Sequence, residues 1–136
     1  EDFATLAGKT IENAGQNFKY DFSYEELAEL VKKFVPTYII ELEKLFSIIV
    51  FNFLFSNGDA HLKNFSVIDY LQDGYYQLAP AYDLLCTSLH INDADIALQD
   101  ALYDGDIHHA SFSHFGFYAY QDFFDFGSCS HNIVRI

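Results

Sequence analysis

The chain has 136 residues, 51% of them hydrophobic and 18% aromatic, which is enough apolar mass for one packed domain or part of one and too much for a disordered tail. Its formal net charge of −13 argues against direct nucleic-acid binding or adhesion to an anionic membrane, since both need a basic footprint. With no Met it reads as a piece of a longer protein, and its two widely separated cysteines, Cys86 and Cys129, read as free thiols in a cytoplasmic, reducing setting.

Glu1 to Leu6 reads as a short helix or loop, followed by a Gly- and Asn-containing loop through Gly15. Ser23-Tyr24-Glu25-Glu26 is a capping box, and Leu27, Leu30, Val31 and Phe34 then recur at helical spacing. This predicts an amphipathic helix from about Tyr24 to Phe34, which Pro36 breaks. A second helix is expected from about Thr37 to Ser56. Its second half, Leu45 to Phe55, is apolar all round and is expected to be buried on most faces. That run is too short for a bilayer, which needs ~20 apolar residues. Asn57-Gly58 is expected to supply a left-handed cap that turns the chain sharply.

Phe65 to Asp69 and Tyr75 to Ala79 read as two strands around an Asp73-Gly74 turn. One helix is expected near Asp95 to Tyr103, and a final short helix from Tyr120 to Gly127, packed by Phe112, Phe115, Phe117, Tyr118 and Tyr120. His108, His109 and His114 have no Cys or ordered carboxylate spacing around them, so they read as a solvated loop rather than a metal site.

The chemistry concentrates in Asn57-Gly58-Asp59-Ala60-His61-Leu62-Lys63-Asn64, a polar loop at the end of the apolar helix. Asp59 and Asn64 lie five residues apart, and Asp83 follows the expected hairpin, which should return it beside them. Asp, Asn and Asp in that order are the parts of a phosphoryl-transfer site. One carboxylate orients the attacking hydroxyl, while an Asn and a second carboxylate hold Mg2+. Between Lys44 and Arg135 the only Lys or Arg is Lys63, inside this loop, consistent with a cation that meets phosphate.

Three segments together resemble the C-terminal lobe of HipA-family serine/threonine kinases, the toxins of bacterial toxin–antitoxin modules. They are Glu1 to Gly8 with Lys19-Tyr20 and Ser23 to Leu27, the loop Asn57 to Asn64, and Leu78 to Thr87 around Leu-Ala-Pro-Ala-Tyr-Asp. Beyond about Ser88 the likeness is loose, apart from Gln121-Asp122-Phe123. The resemblance implies a mainly α fold with a short β-hairpin, a protein-kinase-like C-terminal lobe over residues 1–136 whose N-terminal lobe is absent. It implies ATP and Mg2+ as cofactors, Asp59 as the catalytic acid, and Asn64 and Asp83 as metal ligands. Lys63 then contacts the transferred phosphate and His61 braces the catalytic loop. It also implies a protein substrate, with aminoacyl-tRNA synthetases the known class, and a helix-turn-helix antitoxin as partner. Asn57-Gly58 stands where ordinary protein kinases have His-Arg, and Tyr82-Asp83-Leu84 where they have Asp-Phe-Gly. The latter argues against a flipping metal segment.

The chain has no Gly-rich phosphate loop and no strand Lys paired to a helix Glu, so residues 1–136 alone are expected to transfer phosphate poorly or not at all. Two other readings stay open. Small-molecule phosphotransferases of the aminoglycoside- and lipid-kinase type also use an Asp followed five residues later by an Asn, with another metal Asp downstream. A non-catalytic lobe that only holds an antitoxin has no need for all three residues.

Overall fold

Ser23 begins the structure's best-defined helix. Its hydroxyl accepts the Glu26 amide at 3.1 Å, and the Glu26 carboxylate reaches back to the Ser23 amide at 2.8 Å. The capping box read from the sequence is therefore formed on both sides, and the helix runs over Tyr24–Phe34. Replacing the buried Ser23 with Ala is expected to lower stability by about 1 kcal/mol, measured as a shift of the urea midpoint at constant slope.

The computed structural model describes residues 1–92, 96–98, 102 and 118–130. In chain order its helices are α1 (Phe3–Leu6), α2 (Ile11–Ala14), α3 (Tyr24–Phe34), α4 (Tyr38–Leu54) and α5 (Tyr120–Asp125). The strands β1 (Val67–Ile68) and β2 (Gln77–Leu78) pair antiparallel, with Val67 opposite Leu78 and Ile68 opposite Gln77. The fold described is thus mainly helical with one two-stranded hairpin. The short helix α2 lies where the sequence reads as loop. The hairpin is shorter than the expected strands, because Asp69 folds its carboxylate onto the amides of Asp73 (3.2 Å) and Gly74 (2.9 Å) and closes the loop early. The helix expected near Asp95 to Tyr103 falls outside the described residues except at 96–98 and 102. His108, His109, His114, Phe112, Phe115 and Phe117 lie outside them too, as does the side chain of Cys129. Cys86 is a free thiol.

The core forms where α3 lies against α4 and the hairpin closes over α4. Leu27 and Val31 from α3 meet Leu42, Leu45 and Ile49 from α4, and Phe3 from α1, Leu62 and Phe65 from the loop, and Val67 and Leu78 from the hairpin complete it. On α4 the buried positions Leu42, Leu45, Ile49 and Asn52 make one stripe at helical spacing. The expectation that the second half of this helix is buried on most faces does not hold. Phe51 is 38% exposed, Leu54 69% and Phe55 57%. The elements packed on α4 cover one side, and on the other Phe51 and Phe55 stack on each other at 4.3 Å between ring centres.

Buried Glu41 ties the two halves together. One carboxylate oxygen accepts the Leu78 amide of β2 at 3.0 Å, and the other takes the Lys44 ammonium at 2.6 Å. The polypeptide leading into α1 runs along the far side of β1, with an Asp2–Ser66 bridge and Phe3 donating to the Phe65 carbonyl at 3.0 Å. The hairpin and the loop before it are thus fixed from both sides. No helix among the described residues is long and apolar enough to cross a membrane.

Candidate functional site

The site begins with the way α4 stops. Ser56 adopts a left-handed conformation at φ +53°. The Ser56 amide donates to the Phe53 carbonyl at 3.0 Å and the Asn57 amide to the Asn52 carbonyl at 2.8 Å. These two bonds are a Schellman ending. The left-handed residue is therefore Ser56, one position before the expected Asn57-Gly58 pair. Thr87 holds the turn in place. Its hydroxyl accepts the Gly58 amide at 2.9 Å and donates to the Ser56 carbonyl at 3.0 Å, where its own amide also donates at 3.1 Å.

Asn57 is buried beneath this turn and uses both ends of its amide. Its nitrogen donates to Asn52 Oδ1 at 2.9 Å and to the Asp83 carbonyl at 3.2 Å, while its oxygen accepts the Asp59 amide at 3.3 Å. One side chain thus connects the end of α4, the backbone of Asp59 and the backbone of Asp83. Asp83 needs such support, because it sits at φ +56°, a region that costs an L-residue roughly 1 kcal/mol. The hairpin delivers Asp83 to the loop, and Asn57 holds it there.

Asp59 is half-exposed. Tyr20 Oη donates to its Oδ1 at 2.6 Å. Oδ2 accepts no hydrogen bond among the described residues. His61 Nε2 lies 3.9 Å from the same Oδ1. That is too long for a hydrogen bond, and the imidazole is not a ready cation. Burial holds its pKa below the ordinary value, with the Lys19 ammonium adding to the effect, while Asp59, a backbone hydrogen bond and Asp83 pull the other way. We therefore read the approach as contact with a neutral imidazole rather than an ion pair. The His61 ring packs edge-on against Tyr20 at 5.2 Å, and its Nδ1 is buried without a hydrogen-bond partner among the described residues. Below it, the Tyr24 hydroxyl donates to the Ala60 carbonyl at 3.1 Å, and the Leu62 amide donates to the Lys19 carbonyl at 3.0 Å. Burial pushes the Tyr24 phenol far up, so it stays a neutral donor.

Asn64 ends the short 3-10 helix Leu62–Asn64 and accepts the His61 amide on its Oδ1 at 3.0 Å. Its nitrogen donates to Asp83 Oδ2 at 2.6 Å. The two expected metal ligands are thus in contact. Asp83 Oδ1 carries no hydrogen bond among the described residues, and Asn64 Oδ1 retains a second lone pair. One carboxylate oxygen on exposed Asp83 and one amide oxygen on half-exposed Asn64 suit Mg2+, which keeps few protein ligands and completes its shell with phosphate oxygens and water. Among the described residues, no cluster of three His, Cys, Asp or Glu side chains forms an all-protein metal cage.

Lys63 is exposed and makes no ion pair among the described residues, so its ammonium is available to an anion at the loop's outer edge. Tyr82 pins the loop there, donating to the Lys63 carbonyl at 2.7 Å and sharing a 2.6 Å hydrogen bond with Ser66. The structure therefore joins Asp59 with His61, and Asn64 with Asp83, and it links the two pairs through Asn57. Tyr20 and Thr87 stand in the sequence only as members of the resembling segments, and neither they nor Asn52 carry an expected role at the site. Only Asn52, the one amide in an apolar run, carries a local signal.

A model of the HipA-like C-terminal domain matches residues 1–131. A Sinorhizobium fredii protein named "Putative kinase Y4dM" is 35% identical over 98 residues, 71% of this chain and 22% of that protein. A Haemophilus influenzae protein named "Putative kinase" is 33% identical over 66 residues, 48% of this chain and 19% of that protein. The chain spans about a fifth of the length of these curated relatives. The matched stretch carries the loop, the hairpin and the returning acid just described, and on it the chain belongs to the family of HipA-like C-terminal domains.

Proposed function

We propose that this chain is the catalytic lobe of an ATP- and Mg2+-dependent serine/threonine protein kinase of the HipA type. The observation that carries the reading is the convergence of Asn64 and Asp83 at 2.6 Å, tied through Asn57 to an Asp59 that has one open carboxylate oxygen. Kinase names among the relatives support it. Asp59 Oδ2 orients the acceptor hydroxyl and takes its proton as the acceptor oxygen bonds the γ-phosphorus of ATP and the bond from that phosphorus to the departing ADP oxygen breaks. Positioning accounts for most of the rate in such transfers. Asn64 and Asp83 hold Mg2+, which when bound neutralises charge on the nucleotide phosphates. Lys63 adds a cation at the mouth of the loop, and neutral His61 braces its floor. On this reading the acceptor is a protein, with an aminoacyl-tRNA synthetase the class that the family resemblance implies, and a helix-turn-helix antitoxin is the regulatory partner.

The test is phosphate transfer from labelled ATP by the full-length protein, with and without Mg2+, wild type against Asp83→Ala. Mg2+-dependent labelling of a protein, with Mg2+ affinity lowered at least tenfold in Asp83→Ala, is the expected result. Turnover that labels only a small molecule moves the acceptor class to that of the aminoglycoside-type phosphotransferases. No Mg2+-dependent nucleotide binding at all leaves an antitoxin-binding lobe.

A further inference from the structure

We infer that Tyr20 is a positioning residue for phosphoryl transfer, acting through Asp59; this rests on the kinase reading above. The argument starts from the two oxygens of Asp59. A carboxylate that must meet an incoming hydroxyl has to present one oxygen in a fixed direction, yet its terminal torsion is broad and roughly two-fold. Asp59 is half-exposed, and its backbone amide is held by Asn57, which fixes the residue but not the carboxylate plane. The plane is fixed by Tyr20 Oη at 2.6 Å from Oδ1.

Among the described residues, both side chains that approach the Asp59 carboxylate do so at Oδ1. His61 Nε2 approaches Oδ1, and the His61 ring meets the Tyr20 ring edge-on. The Lys19 ammonium lies 4.8 Å over the opposite partner of this pair, the Tyr20 ring, and the Lys19 carbonyl accepts the Leu62 amide of the catalytic loop. The segment carrying Tyr20 is thus bonded to the loop carrying Asp59, which keeps the two backbones in register, and the edge contact with His61 holds the Tyr20 ring. Oδ2 is left as the oxygen that faces the acceptor. A phenol that instead competed with substrate would have to occupy this open oxygen.

The consequence is a split between turnover and binding. The Tyr20 hydroxyl bonds Asp59, whereas Asn64 and Asp83 bond each other, so nucleotide and Mg2+ affinity are expected to change little when the hydroxyl is removed. Turnover should, because a carboxylate free to rotate spends much of its time misaligned, and a misplacement of about 1 Å can cost a rate up to about 100-fold.

The experiment uses the full-length protein as wild type, Tyr20→Phe, Asp59→Asn and the double variant, with ATP and Mg2+. Phe keeps the ring that packs on His61, so the fold is retained, and thermal unfolding monitors this directly. The expected result is a kcat lowered by about 10- to 100-fold in Tyr20→Phe, with KM for ATP within about twofold of wild type. In the Asp59→Asn background, Tyr20→Phe should add less than about twofold, since the amide that Tyr20 would still orient cannot take the proton. A Tyr20→Phe variant with unchanged or raised kcat overturns the inference while the kinase reading stands. So does a loss that multiplies fully with that of Asp59→Asn, because a purely structural role behaves that way. A wild-type protein that binds nucleotide but never transfers phosphate removes the kinase reading and this inference together.

Discussion

Replacing Asp59 with Asn in the full-length protein is expected to lower kcat for phosphate transfer by about 100- to 10,000-fold while leaving Mg2+-nucleotide affinity within about threefold. Asn is close to isosteric with Asp, and an amide oxygen at the Oδ1 position still accepts the Tyr20 hydroxyl. Its amide still donates to Asn57, so the loop keeps its shape. What changes is the second atom. An NH2 group in place of Oδ2 donates where the acceptor hydroxyl also needs to donate, and it cannot take a proton. The ligand pair Asn64 and Asp83 is untouched, which is why binding should persist. Steady-state kinetics with a titration of Mg2+-nucleotide separates the two effects. A variant that keeps more than a tenth of wild-type kcat would remove Asp59 from the chemistry.

Asn57→Ala is expected to destabilise the chain by about 2–4 kcal/mol and to lower both turnover and Mg2+ affinity. The substitution strands the buried oxygen of Asn52, releases the Asp59 amide and frees the carbonyl of Asp83. The stranded Asn52 oxygen is buried and costs about 1–3 kcal/mol, while the Asp59 amide and the Asp83 carbonyl are only part-buried and cost less, because water can reach them. Freed of its carbonyl partner, Asp83 can leave its left-handed backbone and carry its carboxylate away from Asn64. Urea unfolding at an unchanged slope gives the first number, and Mg2+ titration of the folded variant gives the second. A loss below about 1 kcal/mol with normal Mg2+ affinity would show that the turn and Asp83 hold themselves.

What the sequence discloses and what it hides divide by range. The capping box of Ser23 and Glu26, the stop at Pro36 and the final helix at Tyr120 are written within a few residues, and the structure forms them nearly where expected. The residue types and spacing of Asp59, Asn64 and Asp83 were equally legible, and the structure brings Asn64 onto Asp83. The partners that hold them were not. Tyr20 meets Asp59 across 39 residues, and Thr87 meets Gly58 across 29, with no local pattern to announce either. The left-handed position moved from the expected Asn57-Gly58 pair to Ser56 because Thr87 grips the Ser56 carbonyl and Asn57 is spent on other bonds. The α4 face at Phe51, Leu54 and Phe55 was misread because an all-apolar run says nothing about which side its neighbours will cover.

The bonds that assemble the site have a consequence in time. Tyr20 to Asp59, Asn57 to Asp83 and Thr87 to Gly58 close loops of 39, 26 and 29 residues, whereas α3 and α4 close only their own turns. Loop closure costs entropy before any such bond repays it, so local helices and their shared core precede the site on the folding path. The same order runs backwards on mild destabilisation: hinge by hinge, the three acids and amides separate while the helices remain, and chemistry is lost from molecules that a helical signal still counts as native.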